Sequence, residues 1–143
     1  AALYRRTGVT PAPNATRTPC RPFAEPALAA TKCLAHFIVP GVEKGASTFL
    51  FQSLSSHPHL VHPLTGSGFK EVGLYLSSGQ LARGGVAARY RALPFLDPQD
   101  GLVVGDGSVY YAVDRAAPAR IAAEAPHTRF ILVLREPVAR AYS

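Results

Sequence analysis

Apolar residues come in short runs along this chain, separated by turn signals, and the runs alternate between strand-like and helix-like patterns. Residues 34–39 form a compact apolar stretch that stops at Pro40-Gly41, which reads as a strand. Residues 47–57 are amphipathic and end at Pro58, which predicts a first helix. Residues 69–72 predict a short strand or extended loop, and residues 76–90 a partly helical stretch weakened by Gly79, Gly84 and Gly85. Residues 102–105 read as a buried strand. Residues 114–125 read as an Ala-rich helix with Pro118 near its start, and residues 130–134 as a last strand buried on both faces. Pro137 suits the first turn of a further helix. This alternation predicts an α/β fold, a parallel sheet flanked by helices. Ligands of such sheets bind beyond the carboxyl ends of the strands. The loops after Val39, near Gly105 and after Leu134 are therefore expected to meet at one edge. Residues 1–33 carry Pro11, Pro13, Pro19, Pro22 and Pro26 with little periodicity, and read as a stem or extended arm ahead of a domain over 34–143.

The first strand–loop–helix junction carries the strongest chemical signal. Residues 37–48 run Phe-Ile-Val-Pro-Gly-Val-Glu-Lys-Gly-Ala-Ser-Thr. A tight loop entering a helix offers free backbone N–H groups and the positive end of the helix dipole, which together hold an oxyanion. Lys44 adds a full charge, and Ser47 and Thr48 add hydroxyl donors. The stretch predicts a phosphate- or sulfate-bearing ligand. The nucleotide triphosphatase loop needs a Gly, four residues, then Gly-Lys-Ser/Thr, with the hydroxyl on magnesium. Here Lys44 precedes Gly45, so that pattern fails and no metal site is implied.

The spacing Lys44-Gly45-Ala46-Ser47-Thr48 instead resembles the 5′-phosphosulfate loop of sulfotransferases that use 3′-phosphoadenosine-5′-phosphosulfate (PAPS). Residues 129–143, Arg-Phe-Ile-Leu-Val-Leu-Arg-Glu-Pro-Val-Ala-Arg-Ala-Tyr-Ser, are similar to that family's 3′-phosphate site: strand, Arg, a Pro-containing turn, and a helix ending in Ala-Tyr-Ser. Arg135 and Ser143 keep the family's separation of eight positions. An Arg fork suits a terminal phosphate because it donates two parallel hydrogen bonds; the bland alternative is a solvated charge at a strand end. Between these segments, Phe69-Lys70-Glu71-Val72-Gly73-Leu74-Tyr75-Leu76 looks like the Lys-Glu segment of Golgi carbohydrate sulfotransferases that modify heparan and related glycans.

The resemblance covers about residues 34–143. It implies a P-loop-like sulfotransferase fold and sulfuryl transfer from PAPS to a carbohydrate hydroxyl. By that resemblance Lys44, Gly45, Ala46, Ser47, Thr48, Arg135 and Ser143 would hold the donor. Lys44 would neutralise the leaving oxygen, and Glu71 would accept the acceptor's proton. Lys70, Asp106 and Ser108 would line the acceptor side. Asp106-Gly107-Ser108 stands where many relatives carry Glu-Lys-Ser or Glu-Lys-Thr, so Gly107 replaces a Lys. That departure keeps a second class open, a non-catalytic nucleotide-binding module. A phosphoryl-transfer enzyme of the P-loop type is a third.

Composition changes this picture little. The chain has 143 residues, 48% hydrophobic and 17% charged, enough for one core. Fifteen Lys and Arg against nine Asp and Glu give a net charge of +6, which suits anionic partners. The basic residues are scattered without interleaved aromatics, so nucleic acid is not an expected partner; the glycan acceptor and the anionic donor are what the resemblance implies. No apolar run is long enough to cross a bilayer. Relatives extend beyond the equivalent of Ser143 and carry an N-terminal anchor. The chain is therefore expected to be the first part of a Golgi-lumenal type II membrane protein, anchored outside these residues. Cys20 and Cys33 are the only cysteines, and their spacing is compatible with a disulfide or with two free thiols. Asn14-Ala15-Thr16 is a glycosylation sequon. His57, His59 and His62 are expected as solvent-exposed loop residues rather than metal ligands.

Overall fold

The computed structural model of the chain describes residues 20–22, 31–63, 70–78, 92–96 and 100–143. In chain order the elements are β1 (Cys20–Pro22), β2 (Thr31–Cys33), β3 (Phe37–Ile38), α1 (Ser47–Ser55), β4 (Leu60–Val61), β5 (Phe95–Leu96) and β6 (Val103–Asp106). A 3-10 turn (Val109–Ala112), α2 (Ala117–Glu124), β7 (Arg129–Phe130) and α3 (Pro137–Ala141) follow. The expected α/β class is observed. Strands β4, β6, β3 and β7 lie side by side in that order, and each neighbouring pair is parallel.

β3 lies inside this sheet because its residues can be buried from both faces. Ile38 and Val39 are fully buried, with Leu34 and Val104 beside them in the core. The ladder also runs past the strand ends: His36 N–H donates to Val104 O at 2.8 Å, and Val39 N–H to Asp106 O at 2.8 Å. Gly105 is needed on the neighbouring strand, since a Cβ there would stand 2.5 Å from the Phe37 ring. α1 docks through Phe51, fully buried with its ring centroid 6.4 Å from that of Phe37, while Phe49 is left in solvent.

Several expectations change. The supposed stem over residues 1–33 supplies β1 and β2, which join β5 in a separate antiparallel sheet ordered β1–β2–β5; residues 1–19 lie outside the described residues. Among the described residues β1 is an edge strand, the kind of place where a sheet tolerates a proline such as Pro22. Lys32 is buried with its ammonium 4.2 Å from the Phe95 ring centroid. Cys33 is disulfide-bonded, and Cys20 stands opposite it in the β1–β2 register. β4 falls inside the His-containing loop that showed no strand pattern. The expected helix over 76–90 lies, from residue 79 onward, outside the described residues.

Residues 130–134 were expected to be buried on both faces. They are not: Phe130, Leu132 and Leu134 are 54%, 55% and 72% exposed. Their backbone still pairs, with Ile131 N–H donating to Ile38 O at 2.9 Å and Val133 N–H to Gly41 O at 3.3 Å. The side chains are exposed because β7 ends the strand order among the described residues, so β3 is its one neighbour there.

Asp114 sets where α2 starts. Its Oδ1 accepts from Ala116 N–H at 2.9 Å and Ala117 N–H at 3.1 Å at the entry to the helix, and both oxygens grip Ser77. Donation from the Ser77 N–H and hydroxyl holds the Asp114 carboxyl at about 2, against an ordinary 3.8. A depressed carboxylate stabilises the fold above its unfolded value, and that contribution is lost as pH falls through the folded one. Asp114→Asn is therefore expected to flatten the loss of thermal stability between pH 3.8 and about 2, read as Tm against pH.

Candidate functional site

The loop after β3 enters α1 through backbone shapes that L-residues rarely adopt. Lys44 has φ 62° and Ala46 has φ 71°, with Gly45 between them. Gly45 allows close approach, since a Cβ there would meet Val42 O at 2.8 Å and Val133 O at 2.9 Å. Its N–H turns inward to Val42 O at 3.0 Å. That amide is therefore unavailable to a ligand, contrary to expectation. Ala46 is the N-cap of α1 with no capping side chain, and the first turn holds no acidic residue. The first helical bond is Leu50 N–H to Ala46 O at 3.1 Å. The amides of the first turn are thus left for an external acceptor.

A cleft of about 420 Å³ opens on this helix start. It is lined by Lys44, Ala46, Ser47 and Thr48 from the loop, by Lys70 and Glu71, and by Arg135 and Ser143 from the far end of the chain. Glu43, Val109 and Tyr110 complete the wall. The three loops expected at one edge do meet there, because β3 hydrogen-bonds to β6 on one side and β7 on the other, all parallel. Among the described residues the non-glycine residues with positive φ are Lys44, Ala46 and Glu71, and all three line this cleft. Each costs of order 1–3 kcal/mol, and such strain concentrates at ligand sites.

Electrostatics in the cleft favour an anion modestly. Lys70 pairs with Glu71, leaving Lys44 and Arg135 against Glu43. Glu71 has one oxygen on the Lys70 ammonium and the other on Val109 N–H at 3.0 Å, so its carboxylate direction is fixed. The start of α3 is already filled by Glu136, which accepts from Val138 N–H at 3.0 Å and Ala139 N–H at 2.7 Å. Those two amides, Ala139 first, hold its carboxyl below the usual range. An anion at Arg135 would thus rest on the guanidinium and on Ser143, whose hydroxyl now donates to Arg140 O at 2.9 Å, and not on that helix end.

Asp106 and Ser108 were expected to line the acceptor side. Both are fully buried and do not line the cleft. The reason is local: the Asp106 carboxylate turns inward, where Ser108 N–H, Ser108 Oγ and the Tyr111 hydroxyl donate to it at 3.0, 2.5 and 2.7 Å. Burial pushes the Asp106 carboxyl up, and those donors pull against it. Burial also pushes the Tyr111 phenol well up, with the Asp106 charge adding to it. Gly107 is a close-approach position, since a Cβ would stand 2.9 Å from the Phe51 ring and 3.0 Å from Lys70 Cγ. Tyr110 and Glu43 had no periodic signal to mark them as cleft residues. Among the described residues no group of His, Cys, Asp and Glu could hold a metal, and no helix is long and apolar enough to cross a membrane.

A larger groove of about 640 Å³ lies between α2 and β7, walled by Pro40, Ile121, Ala125, Phe130, Leu132 and Leu134. It has no charged lining, so its size does not make it a site for an anion. The strained loop gives a direct test. Ala46→Gly removes a left-handed alanine, and stability should stay level or rise by about 1 kcal/mol, measured by urea unfolding; a loss of that size would contradict the backbone geometry. Comparison with protein-family models gives no match, and comparison with curated proteins gives none either.

Proposed function

We propose that the cleft binds PAPS and passes its sulfuryl group to a carbohydrate hydroxyl, on a P-loop-like sulfotransferase frame. One observation carries the reading: Lys44 and the start of α1 share a single cleft with Arg135, Ser143 and the Lys70–Glu71 pair. The donor bears anionic groups at both ends of its ribose, so it needs two separated cationic grips on one surface. The first-turn amides of Ala46, Ser47 and Thr48 take the 5′-phosphate, and Arg135 takes the 3′-phosphate.

In the transfer step the acceptor oxygen attacks sulfur and the bond from sulfur to the bridging phosphate oxygen breaks. Glu71 takes the acceptor proton. The electron pair leaves with 3′-phosphoadenosine-5′-phosphate, and Lys44 neutralises the charge growing on the bridging oxygen. Gly107 in place of a Lys does not by itself indicate a decayed site. Packing against Phe51 leaves no room for a side chain at 107, and Lys70 already reaches that spot. The disulfide at Cys33 agrees with an oxidising compartment such as the Golgi lumen, and an anchor outside these residues would hold the protein there.

Two grips predict a specific preference. The intact protein should bind 3′-phosphoadenosine-5′-phosphate about tenfold or more tightly than adenosine-5′-phosphate, since a charge-assisted pair contributes about 1.5–3 kcal/mol. Arg135→Ala should remove that preference, and Lys44→Ala should keep the fold and lose nearly all transfer. Calorimetry showing equal binding of the two nucleotides, or undiminished turnover by Lys44→Ala, would refute the proposal.

A further inference from the structure

Behind the cleft, one buried carboxylate holds the segment that carries Glu71. Asp106 Oδ1 accepts the Ser108 hydroxyl at 2.5 Å, and Ser108 Oγ in turn accepts Gly73 N–H at 2.8 Å. Asp106 Oδ2 accepts the Tyr111 hydroxyl at 2.7 Å, and Tyr111 Oη accepts Tyr75 N–H at 3.2 Å. Two relays thus run from one carboxylate to two amides of the same segment, two residues apart. Glu71 sits two residues before the first of them, in a left-handed conformation that its own side chain does not favour. A third tie joins Glu71 to Val109 N–H at 3.0 Å, next to Ser108. The far end of the segment is fixed to α2, where Arg120 donates to Tyr75 O at 2.9 Å and Asp114 holds Ser77.

We infer that Asp106 is a positioning residue: through the Ser108 and Tyr111 hydroxyls it fixes the 71–75 segment and so aims the Glu71 carboxylate into the cleft. The inference rests on the reading of Glu71 as proton acceptor for sulfuryl transfer. Asp106 and Ser108 touch no cleft ligand, because both are fully buried and absent from the lining. Their effect on chemistry is therefore geometric. A carboxylate base must lie within hydrogen-bond reach of the proton it takes, and a shift of about 1 Å costs up to about a hundredfold in rate.

Ser108→Ala and Tyr111→Phe each cut one relay. Tyr111→Phe keeps the ring against Tyr75, at a centroid distance of 5.9 Å, and supplies the test if Ser108→Ala does not fold. In the intact protein, kcat for transfer from PAPS to de-sulfated heparan sulfate should fall about tenfold in either variant, while the Kd for 3′-phosphoadenosine-5′-phosphate stays within about twofold. Amide hydrogen exchange should accelerate at Gly73 in the first variant and at Tyr75 in the second, with Ile131 in the sheet unchanged. Unchanged exchange at both amides, kcat within about twofold of the parent, or kcat and donor affinity falling together would each overturn the inference. A parent protein that neither binds 3′-phosphoadenosine-5′-phosphate nor transfers sulfuryl from PAPS, with Gly73 and Tyr75 exchanging as expected, sinks the transfer reading and leaves Asp106 as the anchor of this segment.

Discussion

β3 is held from both sides by parallel partners, and the geometry of the cleft follows from that. Parallel pairing with β6 and with β7 forces the three strands to end on the same side. The chain leaving each of them must start its next segment there. Lys44, Tyr110 and Arg135 are far apart in sequence, yet none needs a long excursion to reach the common edge. The register of β3 matters as much as its position. Phe37 opposes Gly105 on one side and Arg129 on the other, so a slip of one residue would turn Ile38 out of the core. The same slip would drive the Phe37 ring away from Gly105, the one strand position among the described residues that lacks a side chain to meet it.

The loop after β3 spends part of the stability that this pairing supplies. Left-handed Lys44 and Ala46 are unfavourable by themselves, and among the described residues no N-cap side chain accepts from the N-terminal amides of α1. What holds the loop is close backbone contact: Gly45 against Val42 O and Val133 O, and Ala112 N–H donating to Pro40 O at 2.9 Å. Strain beside open donors is the arrangement expected where an anion supplies the missing acceptor. The charges agree in sign but not by a wide margin, because Glu43 stands in the same lining as Lys44 and Arg135. On the proposed reading, specific donors rather than bulk positive charge select the donor molecule.

The sequence made the α/β alternation legible because each apolar run is bounded by Pro, Gly or a cap. The family resemblance also marked Lys44, Ser47, Thr48, Glu71, Arg135 and Ser143, and all six line one cleft. Burial of residues 130–134 was misread for a physical reason. An apolar run reports the tendency to be covered, while exposure here is set by β7's place at the end of the strand order. β1 and β2 were missed because strands of three residues in a Pro-rich setting leave no period to detect. Asp106 and Ser108 were expected at the cleft because Asp106-Gly107-Ser108 stands where the resembled family carries Glu-Lys-Ser or Glu-Lys-Thr. Nothing in their order says that two hydroxyls and an amide will draw the carboxylate inward.

That inward turn links stability to site geometry. A buried carboxylate without donors would be strongly unfavourable, and here each donor is itself tied to something else. Ser108 and Tyr111 cannot reorient to serve Asp106 without releasing Gly73 or Tyr75, and these two amides cannot move without dragging the Glu71 turn. The polar network thus has one arrangement in which every described member is paired, and a half-satisfied version would be worse than none. Such networks specify geometry more than they add net stability. A general acid–base group needs that service more than a grip on a phosphate does, because proton transfer depends more steeply on distance than the attraction between two charges. On the proposed reading of Glu71 as proton acceptor, this accounts for why the buried polar groups lie behind the strained Glu71 turn rather than behind the more exposed Lys44 loop.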